Sequence, residues 1–311
     1  MSVRALLAFF VNPYVVLTLV MLAGAGNAVV ARATVGEMPP VALSFWRWVT
    51  ALIIVFPIGA RAMFLQRHVL LAEWKIVVTI AAIAVAAFNT LIYLGVQHTT
   101  ALNASLVLSV IPVVTVGMSW VLLRERAGPR MLVGLAAGLI GVLVIIARGD
   151  VGLLLALDFN SGDLLVFASI FCWAGYSILL GRLPAGLRPE GLLLVMVIIG
   201  VILLAPFYAL EVAAGARMVI SLPNVMGVLY LGAFSSVFAY VLWNYSVSKV
   251  GANVASQFTY LNPAFGGSLA ILLLGESLQL YHAGVLLIFL GIYLATTSGA
   301  RRSASGDGDR S

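Results

Sequence analysis

Apolar runs long enough to cross a bilayer recur ten times along this chain, at 14–33, 40–60, 74–96, 101–123, 130–148, 163–182, 189–211, 225–247, 252–274 and 281–298. A helix needs about 20 residues to span roughly 30 Å of hydrocarbon, so each run predicts one spanning helix. Transmembrane strands would alternate apolar and polar residues in segments of about ten, and no such alternation is present. Only 9% of the 311 residues are charged and 63% are hydrophobic. That excludes an ordinary soluble domain, in which about a quarter of residues are charged. The connections are too short to fold as extra domains, which places function inside the bundle. The expected class is all-α, a polytopic membrane protein.

The runs divide into two related halves. Pro112 precedes Glu125 by thirteen residues, and Pro263 precedes Glu276 by the same number. Asn89 and Tyr93 correspond, at an offset of 151, to Tyr240 and Asn244, an Asn/Tyr pair with its members exchanged. Gly134 and Gly141 are answered by Gly284 and Gly291, seven apart each time, and Asn27 and Pro57 correspond at an offset of 149 to Tyr176 and Pro206. The halves are residues 1–148 and 149–300, followed by a polar tail, 301–311, expected to be a disordered cytoplasmic flank. Five spans per half is an odd number, so the second half crosses in the opposite sense from the first. The expectation is ten helices in two inverted repeats, an arrangement that can open a midplane site alternately to either side.

Charge sets the orientation. With the amino terminus in the cytoplasm, thirteen Lys and Arg residues fall inside and Arg32, Arg148 and Arg217 outside. An even number of spans returns the carboxyl terminus to the cytoplasm. The formal net charge of +6 reflects these loops and not a polyanion-binding face, so no nucleic-acid partner is expected. Arg4 before an apolar run and Ala31-Arg32-Ala33 resemble a secretory signal. The run is longer than a signal core, however, and cleavage would remove the counterpart of the sixth span. The single cysteine, Cys172, excludes an intramolecular disulfide.

Polar residues within the spans are the candidates for function. The carboxylates, from Glu37 to Glu276, all fall in loops or at span ends, so no midplane carboxylate is present for proton or sodium coupling, which points to gradient-driven movement and leaves coupling through another group open. Arg47, in Phe45-Trp46-Arg47-Trp48, is the one charge set well into a span. It can recognise a substrate carboxylate, or in a structural role it can snorkel outward or hydrogen-bond helix-end carbonyls while the flanking tryptophans mark the interface. Asn27, Asn89, Tyr93, Trp173, Tyr176, Tyr240, Asn244, Gln257 and Tyr260 are candidate substrate-binding residues, several at the three- or four-residue spacing that shares a helix face. Amides and phenols in such places also join neighbouring helices, for roughly 0.6 kcal/mol each. A cavity lined this way would suit a small amphipathic solute. Trp74 and Trp120 read as interface belts.

Pro112 and Pro263 mark kinks or hinges. Gly134, Gly138, Gly141, Gly284 and Gly291 read as helix-packing positions. His68, His98 and His282 lie apart without metal-ligand spacing, and Gly266-Gly267-Ser268 lacks a base partner or nucleophile-elbow pattern. There is no phosphate-binding glycine loop. No catalytic residue, metal or cofactor is expected, and oligomeric state is open, with a monomer acceptable.

On these residues the chain resembles the drug/metabolite transporter superfamily, EamA-type branch. The resemblance rests on Arg47, on Asn103-Ala104-Ser105 leading to Pro112 and Glu125, and on Pro263, Gly275-Glu276, Gly284 and Gly291, and covers Tyr14 to Ser298. Within that branch it is most similar to bacterial YddG-type exporters. The resemblance implies export of aromatic and other neutral amino acids across the bacterial inner membrane by alternating access through a central cavity. Other metabolites or drugs as cargo, and a lipid-moving or channel protein, are the alternatives. One departure is Met196, which stands at offset 149 from Arg47, so carboxylate recognition by arginine would be one-sided.

Overall fold

The computed structural model describes residues 12–147, 149–150, 152–153, 158, 160–265 and 283–306, and these are helical with short connections. In chain order they form α1 (Pro13–Ala33), α2 (Pro40–Leu65), a six-residue connecting helix (Arg67–Ala72), α3 (Trp74–Gly95), α4 (Leu102–Leu123), α5 (Pro129–Ile146), α6 (Ser161–Leu180), α7 (Pro189–Ala213), α8 (Leu222–Val250), α9 (Ala252–Gln257, continuing into a 3-10 turn, Phe258–Tyr260) and α10 (Gly284–Gly306). The helices α2 to α8 are long and apolar enough to cross a membrane, and α1 and α10 contain the shorter apolar segments Pro13–Gly24 and Gly284–Thr297. Gly266-Gly267-Ser268, Gly275-Glu276 and His282 lie outside the described residues. α10 continues to Gly306, through part of the tail expected to be disordered, because Ala and Arg in Ala300-Arg301-Arg302 are good helix formers.

Local sequence sets the helix starts. Proline stands in the first turn of α2, α5, α7 and α8, where its missing N–H costs no hydrogen bond. At α6, Asn160 and Asp163 form a reciprocal capping box. The carboxylate of Glu211, at the far end of α7, accepts from the backbone N–H groups of Val41 (3.1 Å) and Ala42 (2.7 Å) and so satisfies donors that the first turn of α2 leaves free.

Two helices depart from α geometry at matching places. α3 contains a π-helical stretch, Ala81–Ala87, and α8 contains another, Leu231–Phe238. α4 breaks at Ser109-Val110, and Pro112 opens the second segment, Ile111–Leu123. Pro112 therefore occupies a first turn and not a helix interior, and the kink lies just before it. Pro263 follows the 3-10 turn at Phe258–Tyr260.

Glycines bring the helices together in antiparallel pairs. An added Cβ on Gly59 of α2 would sit 2.5 Å from the Glu190 carbonyl of α7, while the other end of the same pair is held by Glu211 against Val41 and Ala42. In α5 and α10, a Cβ on Gly134 would lie 2.6 Å from the Gly291 carbonyl, and one on Gly141 the same distance from the Gly284 carbonyl. Gly138 receives the ring of Tyr260. Such close backbone approach supplies dispersion contact where lipid removes any hydrophobic drive between helices.

The outer surface is apolar, and several polar side chains are buried within a largely apolar interior. Ile53, Leu164, Leu222 and Leu286 are each at least 70% exposed, as a bilayer requires. Arg47, Asn89, Asn103, Asp163, Asn244 and Gln257 are buried.

Candidate functional site

Side chains from α1, α2, α3 and α8 converge on Arg47. Its Nε donates to Ser236 Oγ (2.6 Å), and its Nη2 donates to the Ser235 carbonyl (2.7 Å). Its Nη1 lies 2.7 Å from Asn89 Oδ1, 2.6 Å from Tyr93 Oη and 3.1 Å from Asn27 Oδ1. Tyr93 Oη in turn donates to Asn27 Oδ1 at 2.8 Å. Arg47 is 1% exposed, and every one of these partners is neutral. The outward, snorkelling position expected from the flanking tryptophans is not adopted: Trp46 is at the surface with its indole N–H on Tyr208 Oη (3.3 Å), whereas Trp48 is fully buried with the guanidinium 5.2 Å from its ring.

Next to this polar knot lies a cluster of rings. Trp173 packs 4.7 Å from Phe88, 4.9 Å from Trp243, 5.4 Å from Tyr176 and 5.6 Å from Tyr240, centroid to centroid. Tyr240 stacks on Tyr176 at 5.7 Å and meets Trp48 edge-on at 5.1 Å. Its hydroxyl ties the two groups together, accepting from Asn89 Nδ2 (3.2 Å) and donating to the Ala84 carbonyl (2.9 Å). On the far side of the rings, the Tyr176 hydroxyl donates to Asn244 Oδ1.

Beyond Asn244 the molecule opens. A cavity of 470 Å³ runs from Asn244 past Val247 and Ser248 to Glu125, Arg182 and Gly251. The open, ring-lined chamber expected from sequence is instead a closed stack of rings beside a cavity that reaches only Asn244 among the candidate residues. The physical reason is that aromatic side chains gain dispersion contact and favourable ring geometry by packing on each other instead of lining a void. At the opposite end the described side chains pack closely. Met38, Leu43, Tyr93 and Leu231 pack together, and Asn224 Nδ2 donates to Glu37 at 2.8 Å. The Asp163 carboxylate there accepts from Thr99 Oγ1, Asn103 Nδ2 (3.3 Å) and the Asn160 N–H (2.8 Å).

Two candidates point elsewhere. Tyr260 is buried against Gly138 and donates to the Leu135 carbonyl (3.2 Å), and Gln257 Nε2 faces Met131 Sδ (3.9 Å), so both engage α5. Sequence reasoning missed Ser235, Ser236, Trp48 and Phe88. The signal for the serines was present, since two adjacent hydroxyl residues interrupt an apolar run at the counterpart of Ala84-Val85.

The pattern of the EamA-like transporter family matches residues 12–147 and again residues 160–297. The chain belongs to that family. The first matched segment of this transporter supplies Asn27, Arg47, Asn89 and Tyr93, and the second supplies the serines, most of the rings and Asn244. It is 24% identical over 277 residues to the uncharacterized transporter YyaM of Bacillus subtilis, covering 86% of this chain and 87% of that one. An uncharacterized transporter of Archaeoglobus fulgidus is 28% identical over 291 residues, 91% of this chain and 96% of its own. A probable amino-acid metabolite efflux pump of Salmonella typhimurium is 28% identical over 199 residues, 61% of this chain and 66% of its own. A solved crystal structure superposes with a TM-score of 0.73 at 18% identity, over 93% of this chain and 98% of that one, a likeness of fold alone.

Proposed function

We propose that this EamA-like transporter exports small amphipathic metabolites, aromatic and other neutral amino acids first among them, across the bacterial inner membrane by alternating access. Ten spanning helices form two inverted five-helix halves, with both termini cytoplasmic, so that the cavity at Arg182 faces the cytoplasm. Antiparallel packing of counterpart helices, α2 on α7 and α5 on α10, supports the inverted arrangement. So does the bond between Asn89 and Tyr240, because residues that touch their own counterparts lie at a two-fold axis. The two matching π-helical stretches beside them fit elements that change shape during the cycle.

The observation that carries the reading is Arg47. A guanidinium buried in a membrane protein costs several kcal/mol unless compensated, and this one has five hydrogen-bonded partners but no carboxylate among them. A carboxylate-bearing solute would supply the missing charge, while Trp173, Tyr176 and Tyr240 would take its apolar side chain. The amino-acid class is further supported by the efflux pump named above. A lipid-moving role has less support: the groove on the outer face near Met38, Trp46, Met218 and Val228 offers 330 Å³ lined almost wholly by apolar side chains, with no charge for a head group.

Counterflow in proteoliposomes tests the proposal. Labelled phenylalanine is expected to exchange saturably, and Asn244→Ala and Tyr176→Ala, at equal protein content, to slow exchange about tenfold or more. Absence of counterflow for every neutral amino acid would remove this substrate class.

A further inference from the structure

Around Tyr240 the buried polar atoms left without partners are all donors. The indole N–H groups of Trp48 and Trp173 have none, although both rings pack against Tyr240, and Asn244 Nδ2 has none at the tip of the cavity. A buried donor without an acceptor costs about 1–3 kcal/mol, so three together beside an arginine, itself donor-only, need a reason. The unpartnered acceptors among the described residues are on Asn253, Gln257 and Asn262, in the segment from α9 onward, with Asn262 Oδ1 facing Gly24 of α1 and not the rings that pack around Tyr240. Described carboxylates lie at helix ends, as Glu37, Glu125, Asp163 and Glu211 do. The site therefore offers hydrogen to a ligand at several points and offers an ammonium group no carboxylate.

We infer that the transporter reads the carboxylate and the ring of its substrate and does not read the amine, so that it also accepts aromatic carboxylates that lack an amino group. The carboxylate enters from the cavity onto Asn244 Nδ2, meets the Trp173 and Trp48 N–H groups as the ring stack parts, and reaches Arg47 when Tyr240 swings from Asn89. This rests on the proposed transport function and widens its substrate class from amino-acid zwitterions to any carboxylate with an apolar, ring-bearing body.

Three probes that differ by one group test it, each titrated against purified protein by quenching of tryptophan fluorescence: phenylalanine, 3-phenylpropanoate without the amine, and phenethylamine without the carboxylate. The expected result is that phenylpropanoate binds at least as tightly as phenylalanine, with phenethylamine weaker by about tenfold or more, the worth of a charge-assisted hydrogen bond. Trp173→Phe keeps a ring but removes one donor, and is expected to weaken phenylpropanoate about tenfold without changing helix content. Asn244→Leu provides an independent second variant with the same expectation. Phenylpropanoate weaker than phenylalanine by tenfold or more, or phenethylamine as tight as either, would overturn the inference and leave amino-acid export standing. Binding of phenylpropanoate without phenylalanine would uphold it and remove the amino-acid reading. Binding of none of the three, or unchanged phenylpropanoate affinity in both variants, would overturn it.

Discussion

Two triads of side chains at corresponding sequence positions meet at the centre of this molecule, and they are in opposite states. Asn27, Asn89 and Tyr93 are saturated by Arg47, and described side chains pack closely at their end of the bundle. Tyr176, Tyr240 and Asn244, their counterparts at offsets of 149 and 151, have Asn244 Nδ2 unpartnered at the tip of a cavity. At the place of Arg47 the second half carries Met196, fully buried. The difference teaches that a duplicated frame need not carry duplicated chemistry: one charge is enough to close one side and leave the other for a ligand.

Removing the charge should have the largest effect on this contrast. Arg47→Met would take one donor from each of two amide oxygens, a serine hydroxyl, a tyrosine hydroxyl and a carbonyl, and is expected to destabilise the protein by about 3–5 kcal/mol, read as loss of monodisperse protein on heating in detergent. Adding a charge to the other side should rank next. Met196→Arg would bury a cation in the half whose spare amide is itself a donor, at a cost of about 2–4 kcal/mol on the same assay. Matched hydroxyl deletions give the smallest and sharpest test. Tyr93→Phe removes a bond to a charged group and should cost about 1.5–3 kcal/mol, whereas Tyr176→Phe removes a neutral bond and should cost about 1 kcal/mol. Equal losses for the two tyrosines would mean that the triads do not differ as described.

Much of this was legible in the sequence. Apolar runs of spanning length located the seven described helices that can cross a membrane, α2 to α8, because the bilayer fixes the length. The Asn/Tyr pairs at offset 151 located the centre, because polar residues inside a span must find partners. The fate of Arg47 was not legible from its tryptophan neighbours taken together. Residues two apart on an α-helix point about 200° from each other, so Trp46 and Trp48 had to face opposite ways, and only Trp46 marks the outside. The first π-helical stretch left no mark in Ala81-Ala82-Ile83-Ala84-Val85-Ala86-Ala87, where no proline or glycine signals a change of register. Nor could hydropathy tell that the rings would close on one another, since it scores each side chain singly and carries nothing about ring-on-ring packing across α2, α3, α6 and α8.

The central claim, that the Asn244 side is open while the Arg47 side is closed and that transport exchanges them, can be measured by thiol labelling. Single cysteines replace Ser248, which lines the cavity, and Leu231, which is buried in the packing at the opposite end, each in a Cys172→Ser background. Their reaction with a water-soluble maleimide is followed at rest and during phenylalanine counterflow. The account predicts rapid labelling of Ser248→Cys at rest, none of Leu231→Cys, and reaction of Leu231→Cys once counterflow begins. Equal labelling of both at rest, or a Leu231→Cys thiol that stays unreactive during turnover, would contradict it.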